Sequence, residues 1–159
     1  DAVQAVMNYQ VFLRRDKFPG ADAFARVKQA LVRYLTGCEG VMYAVDLEKA
    51  GSAPLPAPVL SRVINGYNAK RSGDIQVVLN PGWYDGESRH GRGTTHGVWC
   101  PYDTHVPILF MGWGIRPGET VREVHLTDIA ATVSALLHIQ MPSGCIGTPI
   151  REAVGAVGD

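Results

Sequence analysis

The chain is organised around one glycine-rich stretch, Gly91-Arg-Gly-Thr-Thr-His-Gly-Val-Trp-Cys-Pro-Tyr-Asp-Thr-His-Val-Pro107, which leads into the apolar run Ile-Leu-Phe-Met at 108–111. Its glycines let the backbone turn tightly and pass close to another group. It also holds His96, Asp103 and His105, the densest set of potential metal ligands in the sequence. Because loops held by rigid strands commonly carry binding groups, this stretch is the first candidate for a functional site.

Two interpretations of these three side chains are open. In one, the glycines form turns, His96 is an ordinary loop histidine, and Asp103 and His105 make local hydrogen bonds. In the other, the side chains belong to a metal site. The sequence contains no regular ligand motif such as His-Glu-x-x-His or Cys-x-x-Cys, so the spacing alone supports both interpretations.

The composition predicts one globular domain. The chain has 159 residues, of which 46% are apolar and 19% charged, so it is long enough to bury a core. Fifteen basic residues balance fifteen acidic ones without a basic run, which argues against nucleic-acid binding and binding to a membrane surface. No segment approaches the roughly 20 consecutive apolar residues of a membrane span. We predict a single domain over 1–159 with a frayed tail at 152–159.

The amino terminus and the cysteines say little about the compartment. The chain starts at Asp1 without an initiator Met or a signal peptide, which fits a mature or excised piece. Cys38, Cys100 and Cys145 match neither a zinc ribbon nor a redox motif, and burial as free thiols is the default. If the parent protein is exported, Cys100 and Cys145 are the two that we expect to pair, because both lie in predicted loops.

The hydrophobic pattern alternates strands with helices. Strands are predicted at Tyr9–Leu13, Val41–Val45, Ile75–Leu79 and Pro107–Met111, with a short edge strand at Val121–Val124. Helices are predicted at Asp22–Thr36, from Pro58 to Tyr67, and at Asp128–His138 after a Thr127 cap. In the last of these helices, Ile129, Val133, Leu136 and Leu137 share one face. The pattern predicts an α/β fold, an open sheet with helices packed against it.

A series of motifs follows in order along the chain. They are Val63-Ile-Asn-Gly-Tyr-Asn-Ala-Lys-Arg-Ser-Gly-Asp-Ile75, Gly93-Thr-Thr-His-Gly97, Pro101-Tyr-Asp-Thr-His-Val-Pro-Ile108, Met111-Gly-Trp-Gly-Ile-Arg-Pro-Gly118 and His125-Leu-Thr-Asp-Ile-Ala-Ala-Thr132. Together they resemble the carboxy-terminal part of the alkaline phosphatase superfamily, in particular bacterial phosphate-irrepressible alkaline phosphatases and type I phosphodiesterase/nucleotide pyrophosphatases. The resemblance covers nearly the whole chain and implies the carboxy-terminal part of an alkaline-phosphatase-like fold.

The resemblance also implies a metal site. The intact family site holds two zinc ions, and His96 matches the ligand histidine of the Gly-Thr-x-His-Gly motif. A zinc pair can activate a nucleophile on one side of phosphorus and stabilise the leaving oxygen on the other. The resemblance assigns no metal bond to Asp103 or His105, so we expect Asp103 to orient the loop and His105 to pack before Pro107.

The family's nucleophile and its Ser-Asp-His-Gly motif have no counterpart in this chain. The resemblance therefore implies a carboxy-terminal fragment of a periplasmic or secreted hydrolase of phosphate esters, whose partner is the amino-terminal part of the same protein. The fragment alone is expected to be inactive and to bind zinc weakly or not at all. The alternative is a stand-alone binding or structural domain that keeps the scaffold without the chemistry.

The placement of His96 follows from the predicted sheet. Open α/β sheets bind ligands beyond the carboxyl ends of their strands, so we expect His96 to project, at least partly exposed, from the loop after Ile75–Leu79 toward one edge of the sheet. His90, His125 and His138 suit an exposed loop, a helix junction and a helix end, and are weaker candidates. Three tryptophans can line a cleft or cover the sheet, namely Trp83, Trp99 and Trp113.

Overall fold

The computed structural model describes residues 1–84, 96–112 and 114–154. Within this part of the chain, four strands form one antiparallel sheet. They are β1 (Val3–Met7), β2 (Gln10–Leu13), β3 (Val41–Asp46) and β4 (Ile75–Leu79), in the order β1-β2-β4-β3. Every neighbouring pair is antiparallel. The chain divides into two compact units, Asp1–His105, which contains the sheet, and Val106–Asp159.

The first two strands are joined by a tight hairpin. Met7 pairs with Gln10, and the two residues between them, Asn8 and Tyr9, have φ values of 51° and 59°. Positive φ at both central positions is typical of the turn whose twist matches that of the flanking strands. The sequence pattern misses β1 because this turn uses Asn-Tyr, whereas Asn-Gly is the common signal for it.

Helix α1 (Ala21–Thr36) covers the sheet with its apolar side and stops at Gly37, close to its predicted limits. A core cluster is formed by Phe24 together with Val11, Leu13 and Ile75 of β2 and β4. Helix α2 (Ala57–Gly66) begins with Pro58 in its first turn, as predicted. Its Val63 joins a second cluster, whose other members are Val45, Leu47 and Ala50. The predicted α/β class, with helices packed against an open sheet, is confirmed.

Lys28 is a charged residue inside this packing. It lies on α1 with only 2% of its surface exposed, and its Nζ is 2.9 Å from Asp46 Oδ1 and 2.5 Å from Glu48 Oε2. Burial by itself lowers the pKa of Lys28, but the hydrogen bonds to Glu48 and Asp46 outweigh it and raise the pKa. The bond from Lys28 is the main reason that the pKa of Glu48 is lowered. The three charges tie α1 to the end of β3.

In its described part the second unit contains two helices, and the segments between them are irregular. Helix α3 (Pro101–Thr104) belongs to the first unit, whereas α4 (Asp128–Leu136) and α5 (Arg151–Val154) belong to the second. The strands predicted at Pro107–Met111 and Val121–Val124 are wrong, because both segments are irregular. A strand needs a neighbour for its backbone hydrogen bonds, and the described part of this unit contains no strand. Of the tail predicted at 152–159, residues up to Val154 are helical and 155–159 lie outside the described residues.

The start of α4 is held by a carboxylate. Thr127 stands at the predicted cap position, but it has helical backbone angles and its side chain makes no capping hydrogen bond. Instead, Asp128 accepts hydrogen bonds from the backbone nitrogens of His125, at 2.9 Å, and Thr148, at 2.8 Å. These two bonds lower the pKa of Asp128, since they stabilise its charged form. Asp128 thereby joins the segments on either side of α4.

A second clamp lies one turn further along α4. The buried hydroxyl of Thr132 donates to the carbonyl oxygen of Asp128, at 2.7 Å, and accepts from the backbone nitrogen of Ile150, at 2.9 Å. The chain before Ile150 runs so close to the helix that a Cβ at Gly147 would lie 2.0 Å from the carbonyl oxygen of Thr127. Only glycine fits at this approach.

Candidate functional site

His96 lies in the segment between β4 and α3, and its side chain is exposed, as predicted. The part of the motif before it falls within residues 85–95, which lie outside the described residues together with His90. The rule used to place it does not apply, because β4 is an inner strand antiparallel to both its neighbours. In an antiparallel sheet the carboxyl ends of successive strands alternate between the two ends of the sheet, so they do not define one binding edge.

The loop turns sharply directly after His96. Gly97 has a φ of 101°, a left-handed conformation that side chains rarely adopt. A Cβ at Gly97 would lie 3.7 Å from the ring of Tyr9, in ordinary contact. The glycine is therefore required by the backbone conformation rather than by lack of space, and it sets the direction in which the chain leaves His96.

The next residues anchor the loop to the first unit. Trp99 packs against the second core cluster, and Cys100 is buried beside it in the chain. The Oδ2 atom of Asp103 accepts a hydrogen bond of 3.1 Å from the backbone nitrogen of Val98. Asp103 thus holds the backbone two residues after His96.

An arginine on α2 fastens the same loop from another side. Arg62 donates from Nη1 to the carbonyl oxygen of Trp99, at 2.9 Å, and from Nη2 to Thr104 Oγ1, at 3.2 Å. Tyr102 adds a third bond, since its hydroxyl accepts from the backbone nitrogen of Gly82 at 3.0 Å. Sequence reasoning missed Arg62 because its partners are 37 and 42 positions away and no local pattern links them.

The remaining candidate histidines and tryptophans take no part in the hydrogen bonds described above that hold the loop after His96. His105 is exposed after α3, and its backbone nitrogen bonds the carbonyl oxygen of Pro101. His125 stands at the junction before α4, and His138 follows that helix with a φ of 52°. Trp83 lies against Gly40, where a Cβ would be 2.3 Å from its ring, so it covers the end of the β3–β4 pair. Trp113 lies outside the described residues.

The cysteines are free thiols. Cys100 is buried, whereas Cys38 and Cys145 are half-buried. The predicted pair between Cys100 and Cys145 is therefore not formed. Sequence spacing suggested the pair only because both residues were expected in loops, and Cys100 is instead packed at the start of α3.

The described residues do not make a zinc site by themselves. No group of three or more His, Cys, Asp or Glu side chains that could hold a metal ion occurs among residues 1–84, 96–112 and 114–154. Catalytic zinc usually takes three protein ligands, and near His96 the carboxylate of Asp103 is already bonded to Val98. This part of the chain can offer one imidazole to a metal site, and the segment that follows His96 is held in place.

Known proteins match almost the whole chain. No protein-family model matches it. Alkaline phosphatase PhoV of Synechococcus elongatus is 47% identical over 148 residues, and alkaline phosphatase PafA of Elizabethkingia meningoseptica is 45% identical over 154 residues. A protein of Myroides odoratus named a calcium-transporting ATPase is 45% identical over 155 residues. The crystal structure of PafA matches with a TM-score of 0.87 over 97% of this chain.

The chain belongs to the alkaline phosphatase superfamily. The resemblance to the carboxy-terminal part of this superfamily is thereby confirmed, as is the fold class. The three sequence relatives align with 92–97% of this chain, but the chain spans only 26–28% of their lengths. It covers 29% of the PafA chain in the crystal structure. No described helix is long and apolar enough to cross a membrane.

Proposed function

We propose that the chain is the carboxy-terminal part of a zinc-dependent phosphate ester hydrolase, an alkaline phosphatase or a phosphodiesterase/nucleotide pyrophosphatase, and that His96 is one of its metal ligands. The observation that carries the proposal is the match to PhoV and PafA at 45–47% identity. The match includes nearly the whole of this chain and 26–28% of the length of those two proteins. We also propose that the full-length protein is exported to the periplasm or the medium, as the resemblance to the superfamily implies.

The loop geometry supports the assignment of His96. An imidazole held in a fixed position favours zinc coordination, because a mobile ligand loses conformational entropy when it binds. The chain on the carboxyl side of His96 is restrained by the turn at Gly97, by Asp103 and by Arg62. When bound, zinc supplies charge stabilisation at the phosphoryl group. The chain's part is to present one nitrogen at a defined place while the other ligands come from the amino-terminal part of the enzyme.

The isolated chain is proposed to be inactive. It has no counterpart of the family's nucleophile motif, and its described residues contain no three-ligand metal group. Removal of members of a catalytic unit leaves little activity beyond the background. Turnover of para-nitrophenyl phosphate by the purified, zinc-loaded chain, abolished by His96→Ala, would contradict this statement.

The test of His96 uses a graft, defined as PafA in which this chain replaces the segment that it matches. If the graft is active and binds zinc, its metal-ligand histidine in the replaced segment comes from this chain. His96→Ala in the graft is expected to lower both zinc content, measured by mass spectrometry of the metal, and kcat/KM, the latter by at least about 100-fold, because a direct ligand contributes more than the groups that support it.

His138→Asn is the matched control for His96→Ala. It removes an exposed histidine that no proposed ligand touches, and asparagine tolerates the positive φ of 52° at that position. The control should keep full zinc content and activity. Unchanged zinc and activity in the His96→Ala graft would refute the role of His96. Comparison of kcat/KM for a phosphate monoester and a diester separates the two activities named in the proposal when it is made with the full-length enzyme that contains this chain, because the nucleophile lies outside the chain.

A further inference from the structure

Helix α4 buries polar side chains and exposes apolar ones, which is the reverse of the usual pattern of a surface helix. The polar residues Asp128, Thr132 and Ser134 are buried. The side turned outward consists of Ile129, Ala130 and Val133, all exposed, and it continues into exposed Leu137 just after the helix. These four residues, called the α4 face below, fall within about 100° of arc at 100° per residue. No polar side chain stands on that arc.

Helix α1 of the same chain shows the ordinary arrangement. It buries Phe24, and its exposed side carries the polar and charged residues Asp22, Arg26, Gln29 and Arg33. An amphipathic helix at a surface places its polar residues in water, whereas a helix that is apolar on its exposed side as well is one that becomes buried. In α4 the buried polar groups are hydrogen-bonded within the unit, for example Asp128 and Thr132, so the helix is not simply rotated.

The segment at 106–111 in the same unit has a similar character. Ile108 and Phe110 are half-buried, whereas Leu109 and Met111, which alternate with them, are 86% and 98% exposed. Apolar side chains at consecutive positions are typical of a strand that is covered on both faces. The sequence predicts a strand here and the described part of this unit contains no strand to pair with it. Two elements of the unit thus show apolar surface that nothing described covers.

We propose that the α4 face is the docking surface for the amino-terminal part of the same polypeptide, which covers it in the full-length enzyme. The inference rests on the proposed function in one respect, namely that the chain is part of a longer enzyme. The matched proteins are much longer than this chain, which spans 26–28% of their lengths. The backbone fold of this chain also recurs within PafA, at a TM-score of 0.87 over 29% of that chain, so the fold is retained when the remaining polypeptide is present.

Charge also favours this occupant. The α4 face has no acidic or basic side chain, so it offers nothing that would recognise a charged ligand or an anionic membrane surface. Soluble proteins rarely leave large contiguous apolar patches in water. An apolar face of this kind matches the interior of a permanently assembled protein, where the rest of the same chain supplies the other half of the core.

The experiment compares Val133→Asp in two contexts, the 159-residue chain alone and the PafA graft. In the chain alone, Val133 is 40% exposed, so the substitution should leave the unfolding temperature unchanged. In the graft it should lower the unfolding temperature by about 5 °C or more, because it would bury an unpaired charge. Arg26→Asp, on the polar side of α1, is the control and should leave both temperatures unchanged. Val133→Ala, which buries no charge, should lower that of the graft by less.

Each alternative occupant has its own outcome in the same measurements. Equal losses in both contexts would mean that Val133 is packed within its own unit, and no loss in either would mean that the face stays in water; both results overturn the proposal. If the chain alone forms a dimer by light scattering that Val133→Asp abolishes, and the graft is insensitive, the occupant is a second copy and the proposal is wrong. The measurements in this experiment are unfolding temperature and molecular mass. A graft without activity or zinc would therefore contradict the proposed hydrolase function and would leave the test of the α4 face intact.

Discussion

Replacement of Asp128 by alanine tests how the second unit is held together. The carboxylate is 7% exposed and accepts one hydrogen bond on each oxygen, from His125 on one side of α4 and from Thr148 on the other. The substitution removes both acceptors at once. The two backbone nitrogens are then left at an apolar methyl group, so the segment around Thr148 loses its side-chain attachment to the helix start.

The expected cost follows from the two bonds. Hydrogen bonds to a charged group contribute about 1.5 to 3 kcal/mol each, so we expect Asp128→Ala to lower the free energy of unfolding by about 3 to 6 kcal/mol. Asp128→Asn keeps one acceptor oxygen and places an amide NH₂ against the other backbone nitrogen. It should therefore cost about half as much, roughly 1.5 to 3 kcal/mol.

Urea unfolding at neutral pH, followed by far-ultraviolet circular dichroism, measures the total effect. Hydrogen exchange at the amides of Thr148 and Ile150 measures it locally, and both amides should exchange faster in the variants. Asp22→Ala is the matched control, an exposed acid in the first turn of α1. It should change the stability by no more than about 0.5 kcal/mol.

The pH dependence supplies a separate check. The pKa of Asp128 is lowered in the folded chain, chiefly by its hydrogen bonds to the nitrogens of His125 and Thr148. Its contribution is therefore complete above the unfolded pKa of about 3.9 and is lost as the pH falls through the lower folded value. The gap in stability between wild type and Asp128→Asn should shrink on acidification below about pH 4. Equal urea midpoints for wild type and Asp128→Ala at neutral pH would refute the whole argument.

Two further substitutions test the packing of each unit. Lys28→Met leaves the carboxylate of Asp46 without its cation and leaves Glu48 only its 3.8 Å contact with Arg15. It should cost about 2 to 3 kcal/mol in urea unfolding at pH 7, less than for a fully buried pair because Glu48 is half exposed. Since the pKa of Glu48 is lowered mainly by Lys28, this loss should diminish below about pH 4.5; an equally stable Lys28→Met chain at pH 7 would contradict the role of the three charges. Gly147→Ala should lower the unfolding temperature by several degrees, because its Cβ would meet a backbone oxygen at 2.0 Å, whereas Gly118→Ala, with open space around it, should not. Equal unfolding temperatures for these two variants would show that the approach at Gly147 relaxes without cost.

Much of the first unit was predictable from the sequence because its elements have local signals. The apolar spacing of α1, the proline in the first turn of α2 and the apolar runs of β3 and β4 each depend on neighbours within a few positions. The motif order predicted the superfamily for the same reason, since each motif is a contiguous run of residues. The prediction that His96 is exposed also holds in the structure.

The supports of the His96 loop were not predictable in this way. Arg62 reaches Trp99 and Thr104 from a helix more than thirty positions earlier, and the hydroxyl of Tyr102 meets Gly82 across twenty positions. A single sequence contains no periodicity that relates such positions. The contact of Asp103 is local in sequence, because its partner Val98 lies only five residues away.

The sequence by itself determined where most helices and strands lie and to which superfamily the chain belongs, because both depend on contiguous residues. The tertiary structure alone decided the antiparallel pairing, the irregular course of 107–111, the replacement of Thr127 by Asp128 at the start of α4, and the exposure of the α4 face. The physical reason is common to all four. Strand pairing, burial and the choice of hydrogen-bond partner depend on which distant groups the fold brings near, and amphipathic spacing identifies an apolar face without stating what covers it.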